Sequence, residues 1–336
     1  MSARAPRILV ALIAAVIAVA AAGCGGSGKS QTTKATTSAS TSRYPSSFVA
    51  VSRATSSPGV TVYSSSSGRP LRRLTDGDRD IDPMLADRGR SVFFVRVPAR
   101  VCPVQLYRIP VTGGTARRLT TAGFPGGPVA VSQDGRMLAY TGTHPGTCRL
   151  TKPNDWLVLR DLHTGQVHRI HFLVWSVAWA PGDDTLAIVT PNPGTGRGEI
   201  RLISDPMHAT AAQLKAAPAI PCPDSRACGE TSPSFDAGGT LSYTAMISPA
   251  GERCWLTKCT GWTYALVTVH GKQSRIATSR RLAADAVLPS SNVSAAGNAF
   301  LYTLPYGKAA RIWRWSGGHP TPIAEPGATA IQAVWR

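Results

Sequence analysis

Short apolar segments separated by tight polar turns recur along the chain. Residues 129–140 and 177–188 both consist of an apolar run, a polar turn and a second apolar run. The same pattern recurs at residues 84–94, 234–243 and 292–302. The turn centres lie 46, 48, 55 and 59 residues apart, at Gly89, Gly135, Asp183, Gly238 and Gly297. Each unit predicts a β-hairpin, and a sustained helical period is absent apart from a short turn near residues 209–217.

Two further alternating segments follow the hairpins. Residues 105–110 and 115–120 flank a Gly-Gly pair, and residues 156–160 and 167–170 flank a second glycine turn. Glycine turns between strands of period two indicate antiparallel pairing. Four such strands in about 45 residues are typical of one blade of a β-propeller.

The two ends of the chain supply the strands of a sixth unit. Residues 330–335 match a first strand with nothing after it, whereas residues 48–51, 60–63 and 71–75 match strands two to four. We therefore predict an all-β fold, a six-bladed propeller of four-stranded antiparallel blades closed by pairing the N- and C-terminal strands. Closure removes exposed sheet edges. The alternative is an open sandwich of many strands, which lacks a repeating unit.

Several motifs resemble those of the TolB-like propellers, whose repeat ends in Leu-Thr and continues into a Pro-x-x-Ser-Pro-Asp-Gly hairpin. The matching segments are Leu74-Thr75, Leu119-Thr120, Asp82-Pro83 and Ser132-Gln133-Asp134-Gly135, with weaker copies at residues 180–183 and 233–236. The resemblance covers most of residues 48–336 and specifies architecture. It implies a binding platform or a propeller that accompanies a peptidase, and we expect no room for a hydrolase domain in this chain.

The first residues have the layout of a bacterial export signal. Arg4 and Arg7 precede an apolar run over residues 8–22, and the segment Ala21-Ala22-Gly23-Cys24 resembles the lipobox of lipoproteins. The resemblance implies that residues 1–23 are removed and that Cys24 carries the lipid that anchors the protein to the cell membrane, on its extracytoplasmic face. The alternative is an uncleaved membrane helix, but the run is shorter than the roughly 20 residues that a spanning helix needs.

A flexible linker is expected after the lipidated cysteine. Residues 24–47 consist mainly of Gly, Ser and Thr, with little to bury, and the propeller domain then occupies residues 48–336. Residues 23–30 fit the phosphate-loop pattern G-x-x-x-x-G-K-S, but a Ser/Thr tract follows instead of the helix that such a loop opens. We therefore expect no nucleotide site and no cofactor.

The chain is strongly basic, with a formal net charge of +18 that falls to +16 when Arg4 and Arg7 leave with the signal. A basic exterior favours anionic lipid head groups or anionic wall polymers as partners. The alternative is an arginine-rich surface with no specific partner. Nucleic acid is not an expected partner, because the arginines are scattered and the export signal removes the protein from the cytoplasm.

Six cysteines remain besides Cys24, an even number that suits an oxidising compartment. They are Cys102, Cys148, Cys222, Cys228, Cys254 and Cys259. Nearness in sequence favours pairing Cys222 with Cys228 and Cys254 with Cys259, which leaves Cys102 with Cys148, although six cysteines allow fifteen pairings. All six fall in the long predicted insertions on one face of the propeller, at residues 98–103, 143–154, 191–197, 218–230 and 248–261.

Recognition is expected on that face, since long loops on a rigid scaffold are where binding is usually built. The predicted contacts are Asp82, Trp175, Trp255 and Trp262. The alternating acids Asp76, Asp78, Asp80 and Asp82 give a weak calcium candidate, set against a solvated acidic turn. The isolated histidines and the lack of a G-x-S-x-G motif provide no catalytic set.

Two hypotheses for the function remain. The favoured one is a monomeric, non-enzymatic platform that binds a protein, peptide or cell-envelope polymer. The alternative is a propeller enzyme of the lactonase, lyase or quinone-dependent dehydrogenase type, which needs several polar groups converging at the mouth of the channel.

Overall fold

In the part of the chain that the structure describes, the regular structure consists almost entirely of β-strands. The computed structural model describes residues 48–53, 59–77, 79–97, 105–119, 128–142, 156–182, 184–194, 197–223, 227–247, 263–270, 273–280, 299–306, 309–316, 319–323 and 330–335. The predicted signal peptide and linker lie outside these residues. No helix in the described ranges is long and apolar enough to cross a membrane.

The described strands, numbered in chain order, form six sheets, and the first three sheets each have four strands. Sheet 1 consists of β1 (Phe48–Arg53), β2 (Gly59–Ser64), β3 (Pro70–Arg73) and β22 (Ala330–Trp335). Sheet 2 consists of β4 (Asp80–Ala86), β5 (Ser91–Arg96), β6 (Gln105–Pro110) and β7 (Arg117–Arg118). Sheet 3 consists of β8 (Val129–Val131), β9 (Met137–Gly142), β10 (Trp156–Asp161) and β11 (Val167–His171).

The other three sheets contain three or four described strands. Sheet 4 consists of β12 (Ser176–Trp179), β13 (Thr185–Pro191) and β14 (Gly198–Ser204). Sheet 5 consists of β15 (Ala227–Phe235), β16 (Leu241–Ile247), β17 (Thr263–His270) and β18 (Gln273–Arg280). Sheet 6 consists of β19 (Ala299–Tyr306), β20 (Ala309–Ser316) and β21 (His319–Ile323). Every named pair of neighbouring strands is antiparallel, so the all-β, antiparallel prediction is confirmed.

Sheet 1 brings together strands from the two ends of the domain, in the order β22-β1-β2-β3. β22 pairs with β1 so that Val49 lies opposite Trp335 and Val51 lies opposite Ala333. The sequence pattern assigned these same segments to one sheet, with β22 as its first strand and β1 as its second.

Sheet 4 has three described strands, so the prediction of four strands per blade is wrong for this sheet. A helix, α1 (Ala211–Ala216), follows β14 where a fourth strand was expected, and Ala219 then forms an isolated bridge with Arg201. Alanine-rich sequence favours a helix, and Thr210 and Gln213 form a capping box at its start. In sheet 6, the residues predicted as the first strand, 292–294, lie outside the described ranges.

Consecutive sheets pack face to face. Sheets 1 and 2 share a buried cluster that includes Val60 and Val62 from one sheet and Val92 and Phe94 from the other. Similar clusters join sheets 2 and 3, 3 and 4, 4 and 5, and 6 and 1. At these interfaces, the packing order of the sheets follows their order along the chain, with sheet 6 beside sheet 1.

The second strand of a sheet serves both neighbouring sheets at once. In β13, Leu186 and Ile188 face the cluster shared with sheet 3, whereas Ala187 and Val189 face the cluster shared with sheet 5. Successive side chains of a strand point to opposite faces, so a strand between two sheets must be apolar at every position. This explains the continuous apolar runs in the sequence.

Candidate functional site

Sheets 2, 3 and 4 repeat the same up-and-down order of strands. The long connections from the second to the third strand of each sheet therefore lie at the same edge of the three sheets. We call this edge the loop face. The innermost strands β22, β4, β8, β12 and β15 contact one another in that order, so the loop face surrounds their N-terminal ends. Most of the predicted insertions lie outside the described residues, and the loop face is therefore described by the strand ends that carry them.

A half-exposed arginine is fixed at the loop face of sheet 2. Arg96 Nε donates to Asp80 Oδ1 at 2.6 Å and its Nη2 donates to Asp80 Oδ2 at 2.8 Å. The guanidinium also lies 4.6 Å from the ring centroid of Tyr107 and 5.5 Å from that of Phe94. The Asp80 side chain is fully buried, while that of Arg96 remains 36% exposed. The hydrogen bonds to Asp80 raise the pKa of Arg96.

The Asp80–Arg96 pair disfavours calcium binding at Asp80, which is one of the four predicted ligands. Both carboxylate oxygens of Asp80 accept hydrogen bonds from Arg96, so binding a cation there would require breaking that pair. Asp76 is exposed, and Asp78 lies outside the described residues. Among the described residues, no group of three or more His, Cys, Asp or Glu side chains is placed to hold a metal ion. The calcium site stays a prediction.

Two innermost strands carry the same bulge close to the loop face. Asp82 in β4 and Ser232 in β15 both have φ 50°, and each directly precedes a proline. The strand register shifts at both places, between Ile81 and Met84 and between Thr231 and Ser234. A non-glycine residue in this region costs roughly 1–2 kcal/mol. A bulge changes the direction of the side chains around it. The sequence predicted Asp82 as a contact residue, but it did not predict the positive φ or the bulge at either position.

Aromatic side chains line the loop face of sheets 3 and 4. Trp156 lies opposite His171 across β10 and β11, with their ring centroids 5.0 Å apart. Trp175, a predicted contact, is half-buried, and its backbone N–H donates to Val189 O at 2.7 Å. It packs against the cluster between sheets 4 and 5, so only part of the ring is available to a partner. Trp255 and Trp262 lie outside the described residues.

A polar network that the sequence did not reveal continues this row in sheet 4. Arg201 Nη2 donates to Glu199 Oε2 at 2.8 Å, and Asn192 Nδ2 donates to Glu199 Oε1. Arg201 Nη1 also donates to Lys215 O at 2.9 Å. Asn192 and Glu199 meet because β13 and β14 pair with Thr190 opposite Glu199. No local motif signals such a contact.

Cys222 is the predicted disulfide cysteine whose side chain is described. It is half-buried and packs against the cluster between sheets 4 and 5. The side chains of Cys102, Cys148, Cys228, Cys254 and Cys259 lie outside the described residues, so the disulfide pairings stay predictions.

An acid–histidine pair lies away from the loop face. His208 Nδ1 lies 2.8 Å from Asp205 Oδ1, and the two side chains are 75% and 71% exposed. They line a shallow groove of about 180 Å³ between β14 and α1, together with Leu202 and Gln213. A catalytic histidine is usually oriented in a partly buried setting, which this exposed pair does not provide. The loop face, by contrast, presents fixed cationic and aromatic groups suited to binding.

The fold is similar to solved β-propellers. TolB from Acinetobacter baumannii matches with a TM-score of 0.62 and 12% sequence identity, over 86% of this chain and 66% of that one. This chain therefore spans just under two thirds of the length of that protein. A putative TolB from Agrobacterium tumefaciens matches with a TM-score of 0.45 and 12% identity, over 69% of this chain and 88% of that one. Oligogalacturonate lyase from Vibrio parahaemolyticus gives 0.49 and 9%, over 84% and 81%.

Neither a protein-family model nor a curated protein sequence matches the chain. The structural likeness, at low sequence identity, establishes architecture. The stacked antiparallel sheets and their similarity to TolB show that this chain has a TolB-like β-propeller fold.

Proposed function

We propose that the protein is an extracytoplasmic lipoprotein, anchored to the cell membrane through a lipid on Cys24, whose propeller is a non-enzymatic binding platform. In this proposal the six sheets are the blades of one closed ring, with the pairing of β22 and β1 as its closure. The partner is a protein, a peptide or a cell-envelope polymer that docks on the loop face. The TolB-like fold supports the proposal at the level of architecture, since propellers serve many functions.

The observation that carries the proposal is the fixed geometry of Arg96. An arginine that is stacked on Tyr107 and held by a buried carboxylate loses little side-chain entropy when a partner binds. Arginine and aromatic residues also dominate the energetic centres of protein interfaces. Trp156 and Trp175 extend the same surface onto sheets 3 and 4, so the loop face offers a preorganised row of such groups.

The ionisable side chains nearby support binding over catalysis. Asp80 is engaged by Arg96, and Glu199 by Arg201. A catalytic carboxylate needs access to a reacting group. These two carboxylates instead hold the guanidinium groups of Arg96 and Arg201 in place. The structure thus supports a surface that recognises a partner without transforming it.

Quantitative capture from intact cells tests the proposal. The tagged full-length chain is compared with Trp156→Ala, which removes a half-buried ring at the loop face, and with Leu71→Ala as the matched control. Leu71 lies on β3 and is 41% exposed, away from the loop face. Truncating a central aromatic contact costs about 2 kcal/mol, or about thirtyfold in affinity. We expect capture to fall strongly with Trp156→Ala and to persist with Leu71→Ala.

The proposal is wrong if the same molecules are captured equally by all three chains, or if none is captured above an untagged control. Matching far-ultraviolet circular dichroism spectra and thermal unfolding midpoints establish that the variants keep the fold.

A further inference from the structure

In five of the six sheets the outermost described strand is basic, and its sequence contains no acidic residue; the exception is β14 in sheet 4, which holds Glu199. The sequences of β3, β7, β11, β18 and β21 together hold seven arginines, three histidines and neither Asp nor Glu. The basic residues are Arg72, Arg73, Arg117, Arg118, His168, Arg169, His171, Arg275, Arg280 and His319. We call this set of strands the rim.

The rim arginines of sheets 1, 2 and 3 are exposed, namely Arg72, Arg73, Arg117, Arg118 and Arg169. Two carboxylates outside the rim bind arginines that are also outside it. Asp87 accepts from Arg108, and Asp161 accepts from Arg136, both at hairpin turns. The rim strands themselves supply no carboxylate.

The rim is continuous across sheets 1, 2 and 3. Arg72 Nη1 donates to Thr112 O in the turn between β6 and β7, which joins the rims of sheets 1 and 2. Leu119, beyond β7, and Leu162, beyond β10, pack on the cluster that sheets 2 and 3 share. His168 Nε2 lies 2.7 Å from Ala209 O, in the segment that connects β14 to α1.

We propose that the rim binds a linear, phosphate-rich polyanion of the cell envelope. Guanidinium groups recognise phosphate through paired hydrogen bonds, and the chain has 29 arginines against 7 lysines. The perimeter of a propeller is curved, so a flat bilayer reaches few blades at once, whereas a flexible polymer follows successive blades. Weak contacts made in sequence along one polymer reinforce one another through effective concentration.

The rim meets the loop face at His171, beside Trp156, but the arginines tested below lie on β3 and β7, so the test does not depend on the proposed loop-face partner. The probe is fluorescently labelled, long-chain inorganic polyphosphate, titrated into the full-length chain in detergent micelles. Its affinity is measured by fluorescence anisotropy over a range of salt concentrations. The rim variant carries Arg72→Gln, Arg73→Gln, Arg117→Gln and Arg118→Gln.

A matched variant of the same net charge carries Arg79→Gln, Arg88→Gln, Arg90→Gln and Arg197→Gln, all outside the outermost strands. We expect the rim variant to bind about tenfold more weakly or worse, given the worth of exposed ion pairs. Its log–log salt dependence should fall by about one unit for each lost phosphate contact. The matched variant should keep most of the affinity.

A second variant, with Arg117→Gln and Arg118→Gln alone, preserves the bond from Arg72 to Thr112 and should show about half of the loss in salt dependence. Equal weakening by the rim and matched variants would show that net charge alone attracts the polymer. Displacement of polyphosphate by micelles doped with phosphatidylglycerol, or by inorganic phosphate at matched phosphate concentration, would also overturn the proposal. The same holds if the unmodified chain does not bind polyphosphate.

Discussion

Replacing Gly59 by alanine tests the close contact between the start of β2 and Thr75, which lies just beyond the end of β3. Gly59 begins β2 with φ +106°, a conformation that side-chain-bearing residues rarely adopt. A Cβ atom added there would lie 2.2 Å from Thr75 O, 2.7 Å from Thr75 C and 2.9 Å from Thr75 Oγ1. Thr75 is itself buried, so the obstacle is backbone that has little room to move.

Relieving the clash would disturb the bonds that hold β2 beside the end of β3. Val60 N donates to Thr75 Oγ1 at 3.0 Å, and Leu74 N donates to Val60 O at 2.8 Å. The unfavourable φ costs about 1–2 kcal/mol, overpacking about 1–3 kcal/mol and one lost hydrogen bond about 1 kcal/mol. We expect Gly59→Ala to lower the free energy of unfolding by about 3–6 kcal/mol.

Gly165→Ala is the matched control, because Gly165 also has a positive φ, +79°, but no atom lies within 4 Å of its added Cβ. It should cost about 1–2 kcal/mol, from the backbone conformation alone. Urea unfolding of the full-length chain, followed by tryptophan fluorescence, compares the two. If the two variants lose the same stability, the close approach of Gly59 to Thr75 has no energetic consequence and the reasoning is refuted.

Two further predictions concern Asp161 and Cys24. Arg136 and the backbone N–H groups of His163 and Thr164 hold the pKa of Asp161 well below its usual range, so its stabilising effect is complete at neutral pH and declines as pH falls below about 4. The unfolding midpoints of wild type and Asp161→Asn should therefore converge on acidification; a constant gap would contradict this. Cys24→Ser should abolish labelling by a fatty-acid analogue and release the protein from membrane fractions; retained labelling would exclude Cys24 as the acylated residue.

The hairpins could be predicted because their signal is local. Strands of period two flank glycine turns, as at Gly135 between β8 and β9, and the buried strands read as apolar runs. The helix α1 lies inside the short turn expected near residues 209–217; its six residues are too few to show a full helical period, and the capping pair Thr210 and Gln213 marks its start.

The contacts of the loop face could not be predicted in the same way. Asp80 and Arg96 are 16 residues apart, and their meeting depends on the register of β4 against β5. That register is shifted by the bulge at Asp82. A bulge before proline changes which residues lie opposite one another, and no periodic pattern of apolar residues records it.

The pairing of β22 with β1 also has a consequence for folding. A polypeptide made from its N-terminus exposes one bare edge of β1 until nearly 300 further residues have emerged. Bare strand edges invite pairing with other chains, and contacts between such distant segments form slowly. Early termination or incomplete export would thus leave β1, at the start of the domain, with an edge open to pairing with other chains.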